Sequence, residues 1–152
     1  MTLIRQAVAA DEAVLRRCVE AAFAPYVERI GRRPAPMDAD FAGQIAAGQI
    51  RVATDPLGHV VGYVTFFPQG DQMLLDALAV LPTAAGRGVG KKLVACCEDK
   101  TRAEGLAKVT LCTNAKMVEN LAIYPHLGYV ETGRGVEDGF DRVFFEKSLA
   151  PA

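Results

Sequence analysis

Apolar and polar positions along the chain repeat with period two in some stretches and near 3.6 in others, which separates strands from helices. TLIRQAV (2–8) reads as a strand, and Asp11 stands where it would cap a helix running to about Phe23, with Ala13, Val14, Val19 and Phe23 among its apolar positions. Pro25, Gly31, Pro34 and Pro36 break up APYVERIGRRPAPM, which reads as a loop or a short second helix. DADFAGQIAAG (38–48) reads as a short helix closed near Gly48. QIRVAT (49–54), the turn residues DPLG and HVVGYVTFFP (59–68) predict a hairpin, and PQGD turns the chain into a third antiparallel strand, QMLLDALAVLP (72–82). Residues 88–104 read as a helix with a stripe of Val89, Leu93 and Cys96 or Cys97, stopped at Gly105. AKVTLCT (107–113) is a strand and MVENLAIY (117–124) a helix, its region ended by Gly128. Closing strands start at Tyr129 and at RVFFEKSL (142–149), joined by the turn-rich GRGVEDGFD. The order β-α-(α)-β-β-β-α-β-α-β-β predicts a mixed sheet with helices on its faces, an α/β or α+β domain.

A chain of 152 residues suits one domain, 1–152, with a sizeable core. Its net charge of −1 and the lack of a basic tract give nucleic acid or an anionic membrane no electrostatic hold. No apolar stretch reaches the ~18 residues of a membrane span, and the N-terminus carries acids where a signal peptide keeps a clean apolar run. A cytoplasmic location follows as the expectation. Cys18, Cys96, Cys97 and Cys112 sit in apolar segments with no zinc-site spacing, so they are expected to be reduced, buried hydrophobes, and no metal is expected.

VLPTAAGRGVGKKL (80–93) carries the chemistry. A strand ends, glycines at 86, 88 and 90 follow, and a helix starts. The first amides of a helix have no internal partner, and the helix dipole adds partial positive charge there. Glycines remove the side chains that would hold a phosphate away, and Arg87, Lys91 and Lys92 add positive charge, so the stretch reads as a phosphate site. A Walker loop fails, because Gly86 to Gly90 leaves three residues rather than four and Lys92 replaces the hydroxyl residue. The dinucleotide fingerprint fails too, because Lys91 occupies its third glycine position.

Val80-Leu81-Pro82 followed by Ala85-Gly86-Arg87-Gly88-Val89-Gly90 resembles the pyrophosphate loop of the GCN5-related N-acetyltransferases (GNAT), which bind acetyl-coenzyme A; Ala85 stands where that family prefers Gln or Arg. TNAKMVENLAIYPHLGY (113–129) resembles the family's next strand–helix segment. The resemblance implies a GNAT fold, a mostly antiparallel sheet of six to seven strands with about four helices. It implies acetyl-CoA as cosubstrate, its pyrophosphate held by amides of Arg87, Gly88, Val89, Gly90 and Lys91. Leu78, Ala79 and Val80 would lie along the thioester, with amides near Ala79 and Val80 polarising its carbonyl, and Asn114 and Asn120 would stand beside the pantetheine arm. Tyr124 would protonate the leaving thiolate, since a phenol near pKa ~10 and a thiol near ~8.5 exchange a proton readily. Asp76, alone among apolar residues in MLLDALAV, would be the base, its pKa raised by burial; His59 and His126 are further candidates at turn and helix ends. Pro125 disfavours helix at the residue before it, so Tyr124 is expected where the helix frays or kinks. Tyr26, Glu28, Arg29 and Arg33, in a proline-stiffened stretch, resemble an acceptor lid. The implied reaction is direct attack of a primary amine, small-molecule or peptide, in a ternary complex; a homodimer through the C-terminal strands is possible. A non-catalytic acyl-CoA-binding or regulatory module of the same fold is the alternative.

Overall fold

The structure, a computed structural model, describes residues 2–149. Along them run β1 (Leu3–Gln6), α1 (Glu12–Ile30), α2 (Phe41–Ala46), β2 (Ile50–Thr54), β3 (Val60–Gln69), β4 (Gln72–Val80), α3 (Val89–Ala103), β5 (Lys108–Asn114), α4 (Val118–His126), β6 (Val130–Glu137) and β7 (Phe140–Ser148). The seven strands form one mixed sheet in the order β1-β2-β3-β4-β5-β7-β6, the architecture that the element order predicts. The chain divides into two compact units: residues up to Phe66 with Ala77–Cys97, and Phe67–Asp76 with the residues from Glu98 on.

In the first unit β1, β2 and β3 pair antiparallel, from Leu3↔Thr54 to Ile50↔Thr65. The DPLG turn forms as expected, with the Asp55 Oδ1 accepting the Leu57 and His59 amides at 2.9 Å each. Leu15, Val19 and Phe23 of α1, Phe41 of α2, Val52, Tyr63 and Val64 of the strands and Leu93 of α3 are buried. Each such side chain contributes roughly 1.5–3 kcal/mol. Phe41 meets the Tyr63 ring edge-on at 5.6 Å.

Two expectations are corrected here. The first helix does not stop near Phe23: it takes in the first half of the stretch after it, and only residues 31–38 form the expected loop, with a short 3-10 turn at Ala35–Asp38. Helix α1 runs unbroken through Pro25 to Ile30, where the Gly31 amide bonds to the Val27 carbonyl at 2.9 Å. Proline removes one helical donor, but Pro25 and Ala21, whose carbonyl loses its partner, are both exposed, so water can satisfy it. Asp11 precedes α1 yet does not cap it. Its carboxylate instead accepts the Val8 amide at 2.8 Å and both Arg5 nitrogens at 2.8 and 2.9 Å. Two charge-assisted bonds to one guanidinium outcompete a single bond to a helix amide.

In the second unit β4 and β5 run parallel, paired at Met73↔Val109 and Leu74↔Thr110, which makes the sheet mixed, as expected. β5 pairs with β7 along its whole length, from Lys108↔Ser148 to Asn114↔Arg142, and β7 pairs with β6. Strict alternation buries Val109, Leu111, Thr113, Val143 and Phe145 on one face. Thr110, Cys112, Asn114, Arg142 and Phe144 are half-buried on the other. The closing hairpin is tighter than the turn-rich linker predicted. Its two turn residues, Asp138 and Gly139, both take positive φ (54° and 79°), which matches the twist of the flanking strands. None of the four cysteines is in a disulfide; Cys18 and Cys97 are buried, while Cys96 and Cys112 are half-buried. Burial pushes the Cys18 thiol up to about 11, which leaves it unreactive.

Candidate active site

The glycine loop lies in the first unit. Gly86 and Gly88 have φ of 79° and 77°, a backbone region costly for residues with a Cβ. A Cβ on either would meet no protein atom within 4 Å, so conformation rather than packing selects glycine. Helix α3 begins immediately after. Its first helical donor is Lys92, bonded to the Gly88 carbonyl at 3.1 Å. The amides of Gly88, Val89, Gly90 and Lys91 therefore have no acceptor within the helix. Arg87, Lys91 and Lys92 are exposed beside them. Val89, Leu93, Val94 and Cys97 anchor the helix by their buried face. This arrangement fits a pyrophosphate: donors with no acceptor in the helix, a positive dipole end and exposed cations.

Leu78 and Val80 are half-buried and Ala79 is buried on β4 just before the loop. The Leu81 amide bonds to the Val61 carbonyl at 2.8 Å. Gly62 makes room here. A Cβ on it would stand 2.9 Å from the Ala79 carbonyl oxygen and 3.3 Å from Leu93 and Val89 side chains.

Tyr26, Glu28 and Arg29 ride on the last turns of α1, with the Arg29 guanidinium 5.2 Å over the Tyr26 ring and Tyr26 against Phe23. Glu28 is exposed. Arg33 donates to Glu20 at 2.6 Å, to Asp38 at 3.0 Å and to the Met37 carbonyl at 3.3 Å, fastening the segment after α1.

Asp76, Asn114, Asn120 and Tyr124 belong to the second unit. Asp76 is not buried, contrary to expectation: it points from the more open face of β4, while Met73 and Leu75 face the core. Protein still surrounds the carboxyl enough that lost hydration raises its pKa, and the Arg142 charge pulls the other way. Among the described residues Asp76 makes no hydrogen bond or ion pair. The Asn114 Oδ1 accepts the Lys116 amide at 2.9 Å, and the Asn120 amide nitrogen donates to the Thr113 hydroxyl at 3.3 Å.

Tyr124 does not sit at a fraying end. Helix α4 continues through Pro125 to His126, and Tyr124 is 5 % exposed. The Tyr129 amide bonds to the Tyr124 carbonyl and the Gly128 amide to the Pro125 carbonyl, both at 3.0 Å. These are the two reversed bonds of a Schellman cap, with Gly128 at φ 95°. The apolar contact that accompanies such a cap is Tyr124 against Tyr129, ring edge to face at 5.8 Å; Phe145 lies 5.8 Å on another side. Lys147 donates to the Leu127 carbonyl at 2.9 Å and to Glu98 at 3.1 and 3.3 Å, and Glu98 accepts the Tyr129 hydroxyl at 2.9 Å. Proline was read as a hazard to Tyr124; the cap and this clamp hold it. Glu98, Tyr129 and Lys147 were not anticipated as a group, because they come from α3, the end of α4 and β7.

Arg142 was also missed. It follows Asp141 directly in FDRVFF, an ordinary charged pair at the start of a strand, so the sequence carried no signal for it. His59 is an exposed turn residue, 3.4 Å from Asp55, and His126 is the last residue of α4. Among the described residues no group of His, Cys, Asp and Glu is arranged to hold a metal, and no helix is long and apolar enough to cross a membrane.

A mixed sheet whose central strand feeds a glycine turn and an open helix N-terminus defines the class as an acetyltransferase fold. The chain matches the Acetyltransferase (GNAT) family over residues 15–129 and belongs to that family. Its fold is shared by the PaiA N-acetyltransferase of Thermoplasma acidophilum, solved in complex with coenzyme A, at TM-score 0.79 and 17% identity, covering 98% of this chain and 99% of that one. An acetyltransferase of the GNAT family from Staphylococcus aureus Mu50 superposes at TM-score 0.82 and 15% identity, covering 99% and 100%. The ribosomal-protein-S18-alanine N-acetyltransferase of Escherichia coli does so at TM-score 0.79 and 19% identity, covering 100% and 96%. At these identities the likeness is one of fold. No curated protein matches the sequence.

Proposed function

We propose that the whole chain works as one acetyl-CoA-dependent N-acetyltransferase domain, in the cytoplasm, on a primary amine. The observation that carries this is the run of unbonded amides from Gly88 to Lys91 behind Gly86 and Gly88. It is supported by the family membership and by a structural neighbour that binds coenzyme A. Another neighbour acetylates a protein alanine, an amine acceptor.

The amides of Arg87 to Lys91 hold the pyrophosphate. Leu78, Ala79 and Val80 lie along the thioester, and Asn114 and Asn120 flank the pantetheine arm. When bound, acetyl-CoA supplies an activated acetyl group. The amine nitrogen attacks its carbonyl carbon, the C–N bond forms and the C–S bond breaks. Asp76 takes the amine proton through water, which suits a carboxyl whose pKa is raised. Tyr124 gives a proton to the departing sulfur; its aim is set by the Schellman cap and the rings of Tyr129 and Phe145. Tyr26, Glu28 and Arg29 border the acceptor, and Arg33 stiffens their segment through Glu20 and Asp38.

Calorimetric titration with coenzyme A tests the site, and thiol release with a panel of amines tests transfer. Tyr124→Phe should lower turnover at least about tenfold, a lower bound set under the roughly 10²–10⁴-fold that general acid–base catalysis contributes, with coenzyme A affinity unchanged. No binding at millimolar coenzyme A would end the proposal, and unaltered turnover would remove Tyr124 from the chemistry.

A further inference from the structure

The second unit carries a cation that the reaction as proposed leaves unused. β4 and β5 pair at Met73↔Val109 and Leu74↔Thr110. Asp76 and Cys112 each lie two residues further along, so both project from the same face as Leu74 and Thr110. Asn114 and Arg142 are register partners on β5 and β7, which places Arg142 on that face too.

The Arg142 guanidinium is only partly matched. Its Nη1 donates to the Cys112 sulfur at 3.3 Å and stands 3.3 Å from the Glu137 carboxylate. A thiol is a weak acceptor, and Glu137 is more than half exposed, so neither contact is strong. Nε and Nη2 bond to no other described residue. The group is stacked 5.6 Å from the centre of the Phe140 ring, and the side chain is 18% exposed. That leaves a planar fork backed by an aromatic ring, which favours paired bonds to a flat oxyanion. Asp76 is close enough to feel the Arg142 charge yet forms no ion pair with it. A carboxylate and a guanidinium on one face, not paired with each other, match the ammonium and carboxylate ends of a zwitterion.

We propose that Arg142 determines acceptor specificity by binding a carboxylate, and that the acceptor is a free amino acid or close analogue whose amine is presented to Asp76. This rests on the reading of Asp76 as the group that takes the amine proton. A carboxylate fits better than a phosphate, because one guanidinium balances one charge and Glu137 and Asp76 would repel a dianion.

The test uses the full chain with acetyl-CoA and matched series: free amino acids, their carboxamides, the decarboxylated amines, aminoalkylphosphonates and short peptides. Free acids should exceed their amides at least about tenfold in kcat/KM, the scale of one hydrogen-bonded charge. Arg142→Gln should erase that preference, and Arg142→Lys, which keeps the charge but loses the fork, should restore it in part. Coenzyme A affinity should be unchanged in both. Amides, simple amines, phosphonates or peptides used as well as the acids would overturn the proposal, as would a preference that survives Arg142→Gln. Calorimetry of the same acids and amides on the coenzyme A-loaded wild type gives a readout independent of variant folding and of turnover. If no amine is acetylated, transfer itself fails, and the carboxylate site then stands or falls on whether acids bind and amides do not.

Discussion

Replacing Lys147 by methionine isolates the clamp beneath Tyr124. Methionine keeps much of the apolar stem, so the change is chiefly one of charge. The Glu98 side chain is 10% exposed and Lys147 27%. After the substitution Glu98 keeps only the Tyr129 hydroxyl, and the Leu127 carbonyl loses its side-chain donor. An exposed ion pair contributes about 0–1 kcal/mol, whereas removing one partner of a buried pair costs about 3–5 kcal/mol. Partial access of water to Lys147 places this case at the lower end, about 3 kcal/mol. In a chain of this size each kcal/mol moves Tm by roughly 2–4 °C, so melting should fall by roughly 6–12 °C. Urea unfolding followed by far-UV circular dichroism, with an unchanged m value, measures it. Adding Glu98→Gln to Lys147→Met should recover at least half of the loss, because the orphaned charge rather than the lost bond dominates. A loss below about 1 kcal/mol, or a double variant no more stable than the single one, would refute the reasoning.

Three further outcomes follow from the same geometry. Gly62→Ala brings a methyl within 2.9 Å of the Ala79 carbonyl oxygen and should cost roughly 1–3 kcal/mol by overpacking, whereas Gly133→Ala, with open space around its Cβ, should cost far less; equal melting shifts would contradict this. Asp11 has its pKa lowered, first by the Arg5 bond, so its contribution is present above the unfolded value near ~4 and fades as pH falls through the folded one. Urea midpoints at pH 6 and pH 3 should therefore converge for wild type and Asp11→Asn at the lower pH. Asp76 has the opposite sign: its pKa is raised, chiefly by desolvation, so the folded state is penalised as pH rises through that value. Asp76→Asn should gain on wild type in stability between pH 3.5 and pH 8, and a constant gap would show that the carboxyl is fully hydrated.

Local patterning settled the parts of this protein that short-range physics controls. Apolar runs bounded by turn residues marked β2 and β3, alternation marked β5, and the stripe of Val89 and Leu93 marked α3, because burial is a local constraint on residue order. The glycine run and the cations around it are local as well: a backbone at positive φ and a helix entrance are written into consecutive residues. These were enough for the mixed sheet, for the resemblance that named the acetyltransferase family, and for a bare helix entrance as the candidate phosphate site. Only the tertiary structure decided the rest. Helix α1 outlasts Pro25 because the carbonyl it frees is on the solvent side, a fact of orientation rather than of residue type. Asp11 abandons the helix amide because Arg5 is folded back against it. Tyr129, against which Tyr124 packs, is held by Glu98 and Lys147 through contacts between residues as many as 49 apart in the chain, and Arg142 joins the face of Asp76 through strand register. Such pairings depend on strand order and register, and those are set by the burial of the whole sheet rather than by any one segment.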